Sequence, residues 1–166
     1  MTVAVSLDTL LAYSDAERAR WRTWLEQEPG RLSLPFQPAG RFPDVGAVFD
    51  HVFLVERRHL SRLQGSVPPG ATGIAAGDVA GLFDYGDLVR ADFRAYVSAL
   101  DEDTAARAIV VTGLQSSGDI TMSRRRLTTH ILLHEVRHLA QVAYAARLGG
   151  HEPPGQHDIF YFGDFV

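Results

Sequence analysis

Apolar residues recur at helical spacing in four long stretches of the chain. In the first, from about Ser6 to Glu28, Leu7, Leu10, Leu11, Trp21, Trp24 and Leu25 fall on one side. In the second, from about Asp44 to Gln64, the stripe is Val45, Val48, Val52, Val55, His59 and Leu63, with Asp44 as the expected N-cap. A third helix is expected from about Asp84 to Leu100, its apolar side supplied by Leu88, Ala91, Phe93, Tyr96, Val97 and Leu100. The fourth runs from about Met122 to Leu148 and stops at Gly149-Gly150. Between the helices the pattern changes. "EPGRLSLPFQPAGRFPD" and "GSVPPGATGIAAGDVAGLF" are rich in Pro, Gly and small residues and read as long connections. "AIVVT" followed by the turn signal "SSGD" predicts a short β-hairpin between the third and fourth helices. The whole therefore predicts an all-α, antiparallel four-helix bundle with long connections, a single domain over residues 1–166.

Composition narrows what such a bundle can do. The 166 residues are 46% hydrophobic and 22% charged, ordinary for a globular chain with a real core. No apolar run approaches the roughly 20 residues needed to span a bilayer, and the N-terminus lacks a secretion signal, so a cytoplasmic protein is expected without membrane contact. Cysteine is absent, which excludes disulfides, thiolate metal ligands and a protein-borne thiol nucleophile. The net charge is −4 and every one of the sixteen basic residues is Arg. The only basic cluster, Arg124 to Arg126, is too small for a nucleic-acid surface and is expected to be solvated or paired with acids. The aromatic tail "HEPPGQHDIFYFGDFV" is expected to fold back onto the bundle or enter a subunit contact. A homodimer is expected on this basis, with Trp21, Trp24 and the tail as apolar contacts.

The chemistry concentrates in the fourth helix. "HEVRH", residues 134 to 138, matches the H-E-x-x-H pattern of zinc proteases. The extended form of that motif requires Gly and His where this chain has Gln141 and Tyr144. The only Glu downstream, Glu152, lies beyond the double glycine, so the protease match reads as coincidence. His134 and His138 nevertheless share the inward face with Leu127, Ile131, Val142 and Ala145. Two buried imidazoles one turn apart both need partners, and one metal ion supplies them together. His130, a turn earlier, sits at the edge of the stripe. A third ligand should come from a facing helix, where His51 and His59 are both available. Periodicity places His59 nearer the centre of the apolar face. His151 and His157 are weaker alternatives in the tail.

Two blocks, "FDHVFLVERRHLSRLQG" and "LTTHILLHEVRHLAQVAYAARLGG", give the sequence a resemblance to the DinB/YfiT-like superfamily of metal-dependent proteins. The second block is similar to that family's H-x-x-x-H, followed by Gln three residues on and a small-residue helix end. The family's frequent His-Arg-Gly-Gln is here His138-Leu139-Ala140-Gln141. The resemblance implies a bundle whose metal is held by His51, His134 and His138. It also implies activation of a low-molecular-weight thiol as cosubstrate, in an S-transferase or detoxification reaction on a small-molecule substrate, by a protein that is often a homodimer. Three neutral imidazoles suit zinc, with nickel, iron and manganese as alternatives. Gln141, His130, Arg137, Tyr144 and Glu56 are the candidates to support a ligand or contact substrate. Two other readings stand beside this one. The first is a hydrolase using metal-bound water with Glu56 or Glu135 as base, and the second is a non-catalytic metal- or ligand-binding stress protein.

Overall fold

The computed structural model describes residues 6–36, 40–114, 118–155 and 162. Helix α1 (Leu7–Gln27) is followed by a 3-10 turn (Pro29–Ser33), then by α2 (Val45–Gln64) and α3 (Val79–Ser98). A short α4 (Glu102–Ala106) leads into strands β1 (Ala108–Leu114) and β2 (Gly118–Ser123), and α5 (Arg124–Leu148) completes the bundle. The four long helices and the antiparallel hairpin are those the hydrophobic pattern predicts. The caps explain where they start. Ser6, Asp44, Asp78, Asp101 and Ser123 each accept a backbone N–H from the first turn of the helix that follows. At the far end of α2, Gly65 adopts φ 73°, the left-handed closing conformation that a residue with a Cβ resists.

Three details depart from expectation. Helix α3 starts five residues before Asp84, because Asp78 caps it and the small residues of "VAGLF" continue the helix. Its buried side is Leu82, Phe83, Gly86, Val89, Arg90, Phe93 and Val97, so Leu88 is 65% exposed instead of buried. The close approach of α2 sets that face: a Cβ on Gly86 would lie 3.0 Å from the Phe53 ring. Met122 belongs to β2, and α5 begins two residues later.

The core has two parts. One gathers Trp21, Trp24 and Leu25 with Phe49, Phe53, Phe83 and Val142. The other joins Leu11, Leu60, Phe93, Leu127 and Ile131 beneath the hairpin. Trp21 and Trp24 are thus enclosed within the protomer and cannot form the apolar subunit contact expected of them. Trp24 Nε1 donates to the Glu152 carbonyl at 2.8 Å and Phe162 packs edge-on against Tyr13, which ties these parts of the tail to α1. The other tail aromatics and His157 lie outside the described residues. Two arginines of the triplet are engaged and the third is exposed: Arg124 donates to the Leu63 carbonyl at the end of α2, Arg125 pairs with Glu102, and Arg126 faces solvent. Among the described residues no helix is long and apolar enough to cross a membrane.

Between the helices, two buried acids meet two buried arginines. Glu56 of α2 and Glu135 of α5 face Arg18 of α1 and Arg90 of α3. Arg18 Nε donates to Glu135 Oε1 at 2.9 Å and Nη2 to Glu56 Oε2 at 2.7 Å. Arg90 Nε donates to Glu56 Oε1 at 2.7 Å, and its Nη2 bonds Glu135 Oε2. Ser14 Oγ donates to Glu135 Oε2 at 2.7 Å. Burial pushes the Glu135 carboxyl up, but the charges of Arg18 and Arg90 outweigh it and hold the pKa at about 2. The network links all four long helices at one level.

Candidate metal centre

Helices α2 and α5 pack side by side in opposite directions, and this pairing builds the site. His51 of α2 faces His138 and His134 of α5, with ring centroids 5.2 and 5.1 Å away. About two turns further along α2, His59 meets His130, about two turns back on α5, at 5.4 Å. His134 and His138 are themselves 4.5 Å apart, as i and i+4 on one helical face should be. One nitrogen from each of His51, His134 and His138 lies within 4.8 Å of the others, a spacing from which the three could hold a metal ion. Tetrahedral bonds of about 2.1 Å require donors about 3.4 Å apart, which small side-chain rotations reach.

Two observations on the rings fit a cation. His138 Nδ1 is buried without a hydrogen-bond partner, so the protein alone does not satisfy the cluster. Burial is the main force lowering all three imidazole pKa values. His51 falls to about 4, with Arg41, His138, Arg58 and Arg137 adding to the effect of burial. His134 falls to about 2, with His138, His51, His130 and Arg137 adding to it. His138 is lowered by burial first and then by Arg137, with Gln141 acting in the opposite sense. All three are therefore neutral near pH 7, the state in which imidazole binds metal.

The other expected residues divide. Gln141 is exposed but reaches His138. Arg137 is exposed beside the cluster, and its charge acts on each of the three rings. His130 is exposed, with its ring 5.6 Å from that of His134. Tyr144 is 65% exposed, and no ring contact joins it to His134 or His138. Glu56 and Glu135 are both buried as partners of Arg18 and Arg90, so neither is free to be the base that the hydrolase reading needs. His151 lies away from the cluster, beside Trp24 and 4.0 Å from Glu28.

Sequence reasoning missed Phe42, Arg41 and Arg58. The connection after the 3-10 turn folds back on itself: Phe36 N donates to the Pro43 carbonyl, and Val45 N to the Leu34 carbonyl. This lays the Phe42 ring 4.7 Å from His51 and 5.8 Å from His138, with the Arg41 guanidinium 5.2 Å from the Phe42 centroid. Arg58 is held in place by donating to the carbonyls of Pro69 and Gly70. A cavity of about 500 Å³ lies at the N-terminal ends of α2 and α3, lined by Asp44, Asp50, Thr72 and Leu82 among others. None of the three clustered histidines lines it, so it is separate from the candidate metal centre.

A helical bundle carrying three converging histidines on two facing helices is the class of protein these features define. The sequence matches the DinB family over residues 1–162, and the chain belongs to that family. The fold is also similar to the crystal structure of a conserved protein from Enterococcus faecalis. The TM-score is 0.63 at 16% identity, covering 88% of this chain and 98% of that one. No curated protein sequence matches the chain.

Proposed function

We propose that this DinB-family chain binds a divalent metal ion through His51, His134 and His138 and activates a low-molecular-weight thiol for transfer to an electrophilic small molecule. The observation that carries the reading is the convergence of three neutral imidazoles, with no carboxylate in the same close group among the described residues. Zinc suits such a donor set, and nickel, iron and manganese are compatible with it. When bound, the ion would lower the pKa of a coordinated thiol so that the thiolate forms at neutral pH.

The chain's own residues provide the rest. The three rings stay neutral and hold the ion without cancelling its charge. Gln141, one turn on from His138, is placed to steady its ring, as partners of ligating histidines do. Phe42 packs against His51 and His138 and gives the cluster an apolar wall on that side. A hydrolase would in addition need a base to deprotonate or orient water. Glu56 and Glu135 are bound to Arg18 and Arg90 and unavailable for that work, and Asp50, the residue before His51, accepts from Thr72 and lines the separate cavity. Thiol activation requires no such base, and this favours the transferase reading over the hydrolase.

The test is cobalt substitution followed by titration with small thiols, including glutathione, mycothiol and bacillithiol. A new sulfur-to-cobalt charge-transfer band is expected with at least one of them. Stoichiometric cobalt with no spectral response to any thiol would sink the proposal.

A further inference from the structure

Arginines stand close to the three histidines: Arg41 lies over the Phe42 ring, which is itself 4.7 Å from His51, and Arg137 is the residue before His138. The arginine charges acting on His51 are Arg41, Arg58 and Arg137, on His138 Arg137 and Arg41, and on His134 Arg137. This holds in a chain whose net charge is −4. The two buried acids that could have balanced the site, Glu56 and Glu135, are committed to Arg18 and Arg90. Arg57 and Arg22, by contrast, pair with Asp92 and with Asp84 and Asp87 elsewhere on the surface. Arg41 and Arg137 have no carboxylate partner among the described residues. Arg41 rests instead on the Phe42 ring, and Arg137 precedes the ligand candidate His138 on α5. Both are exposed, on the side where His51 is only half-buried.

A divalent ion held by neutral ligands, rimmed by unpaired guanidiniums, leaves a strong positive potential for a bound anion to neutralise. The planar guanidinium fork matches a carboxylate, and an aromatic wall beside it favours an anion with an apolar body. We propose that Arg41 and Arg137 form an anion subsite beside the three-histidine centre, which takes the carboxylate of a small molecule whose apolar part lies against Phe42. The inference rests on the reading of the histidines as a metal centre and adds the substrate class to it: an electrophile, or a thiol cosubstrate, that bears a carboxylate.

The experiment is calorimetric titration of the zinc-loaded full chain with benzoate, acetate and inorganic phosphate. It uses the wild type, Arg41→Gln, Arg137→Gln, the double variant, and Arg107→Gln as an exposed control near the hairpin. Benzoate is expected to bind more tightly than acetate or phosphate. Each single substitution should weaken it about three- to tenfold, and the double variant by more than either, with zinc stoichiometry unchanged. The control should match the wild type. Benzoate affinity unchanged in the double variant overturns the subsite, because the carboxylate then binds without these arginines. Phosphate binding more tightly than benzoate, or an equal loss in Arg107→Gln, overturns it too. The cobalt–thiol band reports independently. A band that forms while benzoate fails to bind removes the subsite and keeps the thiol reading; Arg-dependent benzoate binding without any band supports the subsite and removes the thiol reading. A chain that holds no zinc overturns both.

Discussion

Glu135 offers a sharp test of how the HEVRH segment works. In a protease it would be the general base, and Glu135→Gln would abolish activity while leaving the fold intact. In this structure Glu135 is a structural anion, 2% exposed, receiving hydrogen bonds from Ser14, Arg18 and Arg90. Glu135→Ala would leave two guanidiniums, whose side chains are 4% and 6% exposed, facing Glu56 as their only fully buried carboxylate partner. Removing one partner of a buried pair in this way costs about 3–5 kcal/mol, a large share of a typical domain's stability. Glu135→Gln keeps an acceptor oxygen but loses the charge, and should cost about 2–3 kcal/mol. The surface pairs of Arg22 with Asp84 and Asp87 give the contrast, since Arg22→Ala should cost less than about 1 kcal/mol. Urea unfolding followed by circular dichroism measures all three. Glu135→Ala within about 1 kcal/mol of wild type, with an unchanged m-value, would refute the assignment of Glu135 to the buried network.

Other consequences can be measured on the same footing. His51→Ala combined with His138→Ala should abolish stoichiometric metal, read by elemental analysis, while Tyr144→Ala leaves it at one per chain. His59 is buried and its pKa is lowered to about 3, by burial first and then by Arg62 and His130. Below the ordinary histidine pKa of about 6.5 the unfolded chain takes up a proton that folded His59 does not. Stability is therefore lost as pH falls from about 6.5 toward 3, by about 1.4 kcal/mol per pH unit from this residue. His59→Gln should flatten the pH dependence of urea unfolding by about that slope between pH 6 and pH 4; an unchanged slope would count against a neutral buried ring. Gly65→Ala, at φ 73° with open space around it, should destabilise by about 1 kcal/mol through backbone strain alone. Gly86→Ala should cost about 1–3 kcal/mol by displacing Phe53, as thermal unfolding would show.

The long helices were legible because their apolar stripes and Ser or Asp caps are local signals. The stripes also held a clue to the buried network. Leu11, Ser14, Arg18, Trp21 and Leu25 lie on one face of α1, and Phe83, Gly86, Arg90, Phe93 and Val97 on one face of α3. Each buried stripe has a charge near its middle, and Glu56 and Glu135 do the same in α2 and α5. Read as pairs, two acids and two arginines at inward positions predict mutual burial; read one at a time, they look like surface residues. Arg90 also disguised the buried face of α3 and made Leu88 look apolar-facing. The choice between His51 and His59 was not legible from periodicity, because the centre of an apolar stripe belongs to the core, whereas the three converging rings lie at its margin between α2 and α5. His59 is buried as its position suggests, but it faces His130 and Arg62. Phe42 and Arg41 were invisible for another reason: a loop of Pro and Gly carries no period, and its placement depends on the contact between Pro35 and Asp44 that closes it.

Both the fold's chemistry and the proposed reaction depend most directly on where a metal ion sits. Anomalous diffraction from zinc- or cobalt-loaded crystals, recorded on both sides of the metal's absorption edge, locates it without reference to any activity. The expected result is one strong peak per chain, about 2.1 Å from a ring nitrogen of each of His51, His134 and His138. A peak elsewhere, or one bonded to His59 and His130 in place of His51 and His138, would contradict the three-histidine centre.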